Sequence, residues 1–398
     1  MTRVHTSGVQ TLYHLLVVLG LMLILANVIA NLVVFDGLRK VAAPPDGPLV
    51  SVLVPARNEA RNIAECVRSL LLQDYPRYEL IVLDDDSGDG TGGIVEKLMA
   101  EMRNPRVSSR LLRGGALPDG WTGKNWACHQ LAQAASGDFL FFTDADTTHA
   151  PGTVSAAVDY ACRNNASLLS AWPRLLTVTL GEKLIVPVIP VMGFGFCPLW
   201  LHRLFQHRRA AANPALMRRI TAANGQFMFF TRDAYERIGG HAAVRDHVVE
   251  DVTLGREVAA RIGEGMRLFN CDAQDFSTVR MYRSFAEVWE GFTKNMRAVF
   301  DGDRLGFWLF GLAQWVCLFA PCVAIFTAPA HVWRMVAVEV GLIYAIRLLL
   351  AGRFRTSIIG ALLHPLGILL MMLIGLNSWR RSIGRGVVWK GRTYRPRL

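Results

Sequence analysis

The sequence predicts an α/β protein with an open sheet, tied to a membrane by apolar helices at both ends. Three observations predict it. Strand-like and helix-like segments alternate through the middle of the chain, which is the order that builds a largely parallel sheet. Three acidic clusters directly follow three strand-like runs. Long apolar stretches bracket this region, and they account for a composition that is 52% apolar and only 19% charged over 398 residues.

The first element is Val9 to Phe35, almost continuously apolar and interrupted by His14, Asn27 and Asn31. About 20 residues of helix span a bilayer core, so the stretch is long enough. Its length exceeds a signal-peptide core and no A-x-A cleavage site follows, so it reads as an uncleaved anchor. Arg39 and Lys40 follow at once and point to the cytoplasmic side. Pro44, Pro45, Gly47 and Pro48 make a linker.

The next run, Leu49 to Ala56, has the unbroken apolar character of a buried parallel strand. Ile63, Val67, Leu70 and Leu71 mark one face of a helix, and Tyr78 to Leu83 reads as the second strand. Ile94, Val95, Leu98 and Met102 mark a second helix, followed by a candidate strand at Val107 to Leu112. A helix is expected over Trp126 to Ala135 and a short strand over Asp138 to Thr143. Leu184 to Leu201 is apolar but broken by Pro187, Pro190, Pro198, Gly193 and Gly195. Such a stretch is not a straight spanning helix; it reads as a re-entrant or interfacial segment or as buried core.

Three apolar segments end the chain: Phe307 to Ala328, Val332 to Ala351 and Ile358 to Leu376. The second, carrying Arg334, Glu339 and Arg347, reads as the weakest span, and Pro365 interrupts the third. From Arg380 to Leu398 there are seven Lys/Arg and no acid. That cluster reads as an anchor on anionic headgroups. Three spans after an internal domain would put the tail outside, whereas its charge places it inside. One of the three segments is therefore expected to be re-entrant or interfacial. The division is 1–48 anchor and linker, 49–304 α/β domain, and 305–398 C-terminal segments and tail.

The net charge of +11 suits anionic lipid or a phosphorylated substrate. No base-reading motif accompanies it, so nucleic acid is not expected as a partner. The seven cysteines are scattered and form no CxxC pair, which excludes a disulfide framework or a zinc ribbon.

The chemistry lies in short polar clusters. Pro55-Ala56-Arg57-Asn58-Glu59 follows the first strand, and Asp84-Asp85-Asp86-Ser87-Gly88-Asp89-Gly90-Thr91 follows the second. In open α/β sheets ligands bind beyond the carboxyl ends of the strands, so both clusters face one crevice. Asp144-Ala145-Asp146 after the Phe139 strand supplies two carboxylates suited to Mg2+ or Mn2+, with His149 close by. Gly120-Trp121-Thr122-Gly123-Lys124-Asn125-Trp126 places a lysine before a helix start, where it can reach a diphosphate. Glu250-Asp251 opens a helix and offers a candidate general base. Arg280-Met281-Tyr282-Arg283, with Trp289 and Lys294 after it, offers cations and an aromatic for the diphosphate and acceptor. The bland alternatives are solvated turns, helix capping and a lipid-facing basic segment.

Taken together, the order Pro-Ala-Arg-Asn-Glu, Asp-Asp-x-Ser-x-Asp-Gly-Thr, Asp-Ala-Asp and Glu-Asp resembles the family-2 glycosyltransferases of the GT-A fold. The likeness covers roughly residues 49 to 300. The Gly-Trp-Thr-Gly-Lys and Met-Tyr-Arg-Ser strings and the tail Gly384-Arg385-Gly386-Val387-Val388-Trp389-Lys390-Gly391-Arg392 resemble a narrower group. These are bacterial membrane enzymes related to the hopanoid-associated and carotenoid glycosyltransferases; the likeness to ceramide glucosyltransferase is more distant.

The resemblance implies a Rossmann-like open mixed sheet of GT-A type, with one N-terminal and two to three C-terminal transmembrane helices. It implies a nucleotide-sugar donor, probed by Pro55, Arg57, Asn58, Glu59, Asp84, Asp85, Ser87, Lys124 and Asp144, with Asp84 and Asp85 on uridine. It implies a divalent ion on Asp146 and Asp144, and Asp251 beside Glu250 as catalytic base. A lipid acceptor at an inner, cytoplasmic membrane and a cytosolic catalytic domain follow. The Gln-x-x-Arg-Trp motif of processive synthases is absent: Val279 to Arg283 stands there, which argues against polymer synthesis. The rival from another class is a catalytically silent membrane protein that binds nucleotide-sugar as a sensor or scaffold.

Overall fold

The structure is a computed structural model, which describes residues 2–102, 107–208, 212–384, 386–389 and 392–394. Of the tail's basic residues, Arg385, Lys390, Arg395 and Arg397 lie outside the described residues, as does Gly391.

The strands are β1 (Val50–Ala56), β2 (Tyr78–Asp84), β3 (Ser108–Arg113), β4 (Phe139–Phe142), β5 (Thr147–His149), β6 (Leu168–Trp172), β7 (Arg174–Leu175), β8 (Met228–Thr231), β9 (Leu268–Asp272) and β10 (Ser277–Val279). Short β11 (Val387–Trp389) and β12 (Arg392–Tyr394) form a hairpin in the tail. The main sheet has the order β3-β2-β1-β4-β8-β6-β9. β1 is parallel to β2 and β4, with Val50 opposite Tyr78 and Phe139. Parallel strands end at the same rim, so the segments after Ala56, Asp84 and Phe142 are brought together by register alone. β8 runs antiparallel to β4 and β6. It is therefore the start of β8, not its end, that reaches this rim, and it delivers Asn224 and Gly225. A smaller sheet, β5-β10-β7, lies beside the acidic rim.

Alternation along the strands fills two cores. Val50, Val52 and Val54 face one side with Ile63 and Val67, while Leu53, Ile81 and Leu83 face the other with Leu131. A third core joins the apolar helices to the domain: Leu21, Val28, Ile343 and Ile368 pack with Trp172, Phe194 and Phe292. All seven cysteines are free thiols.

Among the described residues, four helices are long and apolar enough to cross a membrane by length and composition: Ser7–Val34, Leu180–His207, Arg304–Ala324 and Ala330–Arg353. The second is broken as its prolines require, into Leu180–Ile185, a 3-10 turn Val186–Val188, Ile189–Phe196 and Trp200–His207. Asn27 and Asn31 of the N-terminal helix donate to the carbonyls of Phe194 at 3.0 and 2.8 Å, and Asn31 also to that of Cys197 at 2.8 Å. The two asparagines that interrupt the N-terminal apolar run thus cap the end of the broken helix.

One reading of the C-terminal part is corrected. Ala330–Arg353 is not a weak span but one continuous helix, because Glu339 and Arg347 are buried against partners inside the protein while Arg334 stays exposed. Glu339 meets His14 Nδ1 at 2.9 Å, and Arg347 donates to the carbonyls of Pro187 and Gly360 at 2.6 and 3.0 Å. The Ile358 to Leu376 segment is interrupted at Pro365, as expected: it divides into Ile358–Leu362 and His364–Ile383, with Pro365 at the helix start. His364 Nε2 lies 2.9 Å from the carbonyl of Leu318, midway along the Arg304–Ala324 helix, and Arg381 pairs with Glu290.

Candidate functional site

The rim of the main sheet opens into one cavity of about 1230 Å3, which runs on into the apolar helices. Its polar end is assembled from the segments that follow β1, β2 and β4. Pro55, Arg57, Asn58, Glu59, Asp85, Asp144 and Asp146 all line it.

The first two loops are knitted to each other. The Asn58 amide donates to Ser87 Oγ at 2.9 Å, Gly88 N donates to Asn58 Oδ1 at 3.0 Å, and Ala60 N donates to Asp89 Oδ2 at 3.0 Å. Asn58 takes φ +52°, a left-handed turn that asparagine tolerates. Asp84 and Ser87 brace this loop from behind, outside the cavity lining: Asp84 accepts the Ser87 amide at 3.1 Å and pairs with Arg113 at 2.6 Å.

Lys124 stands in the first turn of the Gly123–Ala134 helix, which Thr122 caps. Its Nζ lies 2.7 Å from Asp144 and 2.8 Å from Glu250. Burial alone would lower its pKa, but the two carboxylates more than offset this and hold it well above the usual lysine range. The lysine therefore stays charged and joins the rim after β4 to the start of the Glu250–Ala260 helix.

Asp251 lines the same end, next to Glu250. Its carboxylate accepts the amides of Gly225 and Val252, each at 2.8 Å. Burial and the neighbouring charge of Glu250 raise its pKa to about 6, against the pull of Lys124 and the two amides. A carboxylate so poised is ionised at neutral pH and a stronger proton acceptor than a surface aspartate.

His149 does not face the cavity lining. Its Nε2 is 2.9 Å from Thr143 Oγ1 and its Nδ1 2.9 Å from Ser277 Oγ, and burial lowers its pKa to about 3. Both ring nitrogens are thus engaged in joining β4 to the small sheet.

Of the basic and aromatic group near residue 280, Lys294 lines the cavity, whereas Arg280, Arg283 and Trp289 do not. Arg280 pairs with Glu182 at 2.9 Å, and Arg283 donates to Asn62 Oδ1 at 2.8 Å. Burial lowers the pKa of Lys294. The other end of the cavity is apolar, with Trp172, Ile189, Met192, Phe196, Phe292 and Phe310.

Sequence reasoning missed three contributors. Gly225 precedes an antiparallel strand, Met228–Thr231, whose four residues carry no periodic signal. Trp172 stands at the end of β6, a strand not assigned from sequence. Arg392, read as part of a headgroup anchor, instead enters the cavity and pairs with Asp85.

Asp144 and Asp146 suit a divalent ion bound by hard oxygens. No group of three or more His, Cys, Asp or Glu placed to hold a metal occurs among the described residues. Two carboxylates at the rim of a polar cavity leave the remaining positions to substrate oxygens and water, as Mg2+ and Mn2+ commonly require.

The family model for glycosyl transferase family 2 matches residues 51–239. A 4,4'-diaponeurosporenoate glycosyltransferase of Staphylococcus aureus is 26% identical over 363 residues, covering 87% of this chain and 88% of the relative. Among solved structures, a mannosyltransferase of Pyrobaculum calidifontis in complex with GDP-mannose and Mn2+ is similar in fold, with a TM-score of 0.52 at 19% identity. That match covers 95% of this chain and 97% of the other. Residues 51–239 thus match the glycosyl transferase family 2 model, and the chain has an open α/β sheet of the GT-A type.

Proposed function

We propose that the protein is an inverting, metal-dependent glycosyltransferase that moves a sugar from a nucleotide-sugar, a UDP-sugar, to a lipid acceptor at the cytoplasmic face of the inner membrane. The observation that carries this is one cavity with two chemistries. Its polar end carries Asp85, Lys124, Asp144, Asp146 and Asp251, and its other end is walled by Ile189, Met192, Phe196 and Phe310 from apolar helices. A charged donor and an apolar acceptor can meet there without either leaving its preferred surroundings.

In this reading Asp85 and the Arg57–Glu59 loop hold the nucleoside. Asp144 and Asp146 would hold Mg2+ or Mn2+, which supplies positive charge beside the leaving diphosphate. Lys124 adds a fixed cation on the same side. The acceptor oxygen attacks the anomeric carbon while the bond to the diphosphate breaks, and the acceptor proton passes to Asp251. A single displacement of this kind inverts the anomeric centre. The 4,4'-diaponeurosporenoate glycosyltransferase similarity supports an apolar acceptor.

The membrane arrangement follows from pairs at the chain's ends. Arg353 closes the Ala330–Arg353 helix and bonds to Asp272 of the catalytic sheet and to the Phe35 carbonyl, so the two preceding helices leave and return. The segment 358–383 then dips to the level of Leu318 and comes back beside Glu290. With an even number of crossings the tail would lie on the side of the catalytic domain, a reading that the charges of Arg39, Lys40 and the basic tail support. The proposed units are 1–48, 49–304 and 305–398.

The test is transfer in membranes that contain the full chain, with radiolabelled UDP-glucose and its isomers and GDP-mannose, followed by mass spectrometry of the lipid extract. A glycolipid that forms only with the protein supports the reading. Donor binding without any transfer or hydrolysis would favour a silent sensor or scaffold.

A further inference from the structure

The C-terminal hairpin returns to the catalytic rim and plants one side chain there. Arg392 opens β12, 307 residues beyond Asp85, and its Nη1 and Nη2 meet the two Asp85 oxygens at 2.5 and 3.1 Å. The pair lines the cavity, and the Arg392 side chain is 19% exposed. Arg57 Nη1 lies 3.9 Å from Asp85 Oδ2, the oxygen that Arg392 Nη1 meets, and donates to the Asp85 backbone carbonyl. Two guanidiniums therefore approach one buried carboxylate, Arg392 closely and Arg57 at a distance, and the solvent-exposed Asp86 reaches Arg57 only at 4.0 Å. Arg392 and Lys124 thus line the same cavity.

Space points the same way. A Cβ built on Gly123, the residue before Lys124, would come within 1.6 Å of Arg392 Nη1. The absence of a side chain at the helix start is what admits the guanidinium to the site. A basic tail that served only to hold headgroups would have no need of this slot.

We propose that Arg392 is a donor-binding residue, supplied by the tail, whose guanidinium contacts the diphosphate of the nucleotide-sugar. A planar guanidinium already oriented by a carboxylate loses little freedom when it takes up a phosphate oxygen. The inference rests on the nucleotide-sugar reading above, and the experiment separates the two.

The full chain in detergent is titrated with UDP and with GDP in the presence of MnCl2, and the tighter ligand is carried forward. Arg392→Ala is expected to weaken it at least ~10-fold, with Arg392→Lys regaining part of the loss and the thermal midpoint without ligand little changed. Gly123→Ala is expected to weaken binding in the wild-type background and to add little in the Arg392→Ala background, where the slot is open. Unchanged affinity in Arg392→Ala overturns the proposal while leaving the nucleotide-sugar reading intact. Tighter binding or faster transfer in that variant overturns it in favour of a tail that blocks the site. A wild-type protein that binds neither nucleotide overturns both readings.

Discussion

Asp251 accepts the backbone N–H of Gly225 at 2.8 Å, a contact that crosses from the first turn of one helix to the residues that lead into an antiparallel strand. A backbone donor cannot rotate away, so the carboxylate is held in one orientation while its charge remains weakly stabilised. Asp251→Asn keeps the shape and removes the proton acceptor. Turnover is expected to fall by ~10²–10⁴-fold with UDP affinity retained. Single-turnover transfer alongside UDP titration checks this; transfer at the wild-type rate would remove Asp251 from the role of base.

The same residue sets a pH dependence. Its pKa is raised to about 6 by burial and by Glu250, so below that pH it is protonated and cannot accept. The transfer rate is expected to fall about tenfold per pH unit below that point and to level off above it. Glu250→Gln removes one of the two causes of the upward shift. The acidic limb should then move to lower pH, and a limb that stays in place would show that Glu250 does not act on Asp251.

Metal removal should act through the two rim carboxylates. With EDTA, UDP binding is expected to weaken, and MnCl2 should restore it. In Asp146→Ala the MnCl2 dependence of UDP binding should be shifted upward or abolished. The same MnCl2 titration in that variant as in wild type would detach Asp146 from the ion.

His149→Ala offers a contrast. Its ring ties Thr143 to Ser277, so its loss removes both bonds, although the Thr143 hydroxyl keeps the Gln226 carbonyl. About 1–3 kcal/mol of stability should be lost, seen as a lower thermal midpoint, with the MnCl2 dependence of UDP binding unchanged. A changed metal titration would instead make it part of the ion site.

At the apolar end, a Cβ on Gly193 would lie 2.9 Å from Trp172 Cη2. Gly193→Val should narrow the acceptor path. Transfer to lipid is expected to drop while UDP affinity stays, and a parallel loss of both would place Gly193 in a general structural role.

Much of this site was legible because parallel strands convert sequence order into position. Once β1, β2 and β4 are assigned, their following clusters must share a rim, and Arg57, Asp85 and Asp144 do line one cavity. What stayed hidden depends on distant partners. Glu339 looked like a flaw in a span until His14, 325 residues away, stood beside it. Arg280 looked free to meet a diphosphate, but its bidentate pair with Glu182 spans 98 residues. Arg392 is the same problem in reverse, a headgroup anchor by composition and a cleft residue by contact. Local pattern reports which face a residue prefers, not which partner waits there.

Asn27 and Asn31 lend the N-terminal helix a further consequence. Their side chains hold the carbonyls where the Ile189–Phe196 helix ends, and that helix walls the apolar end of the cavity. Cutting away the first 34 residues to obtain a water-soluble enzyme would strip those carbonyls of their donors and let the acceptor wall sag. The leading helix is a beam of the substrate chamber, so a shortened protein would be expected to keep its nucleotide and lose its lipid.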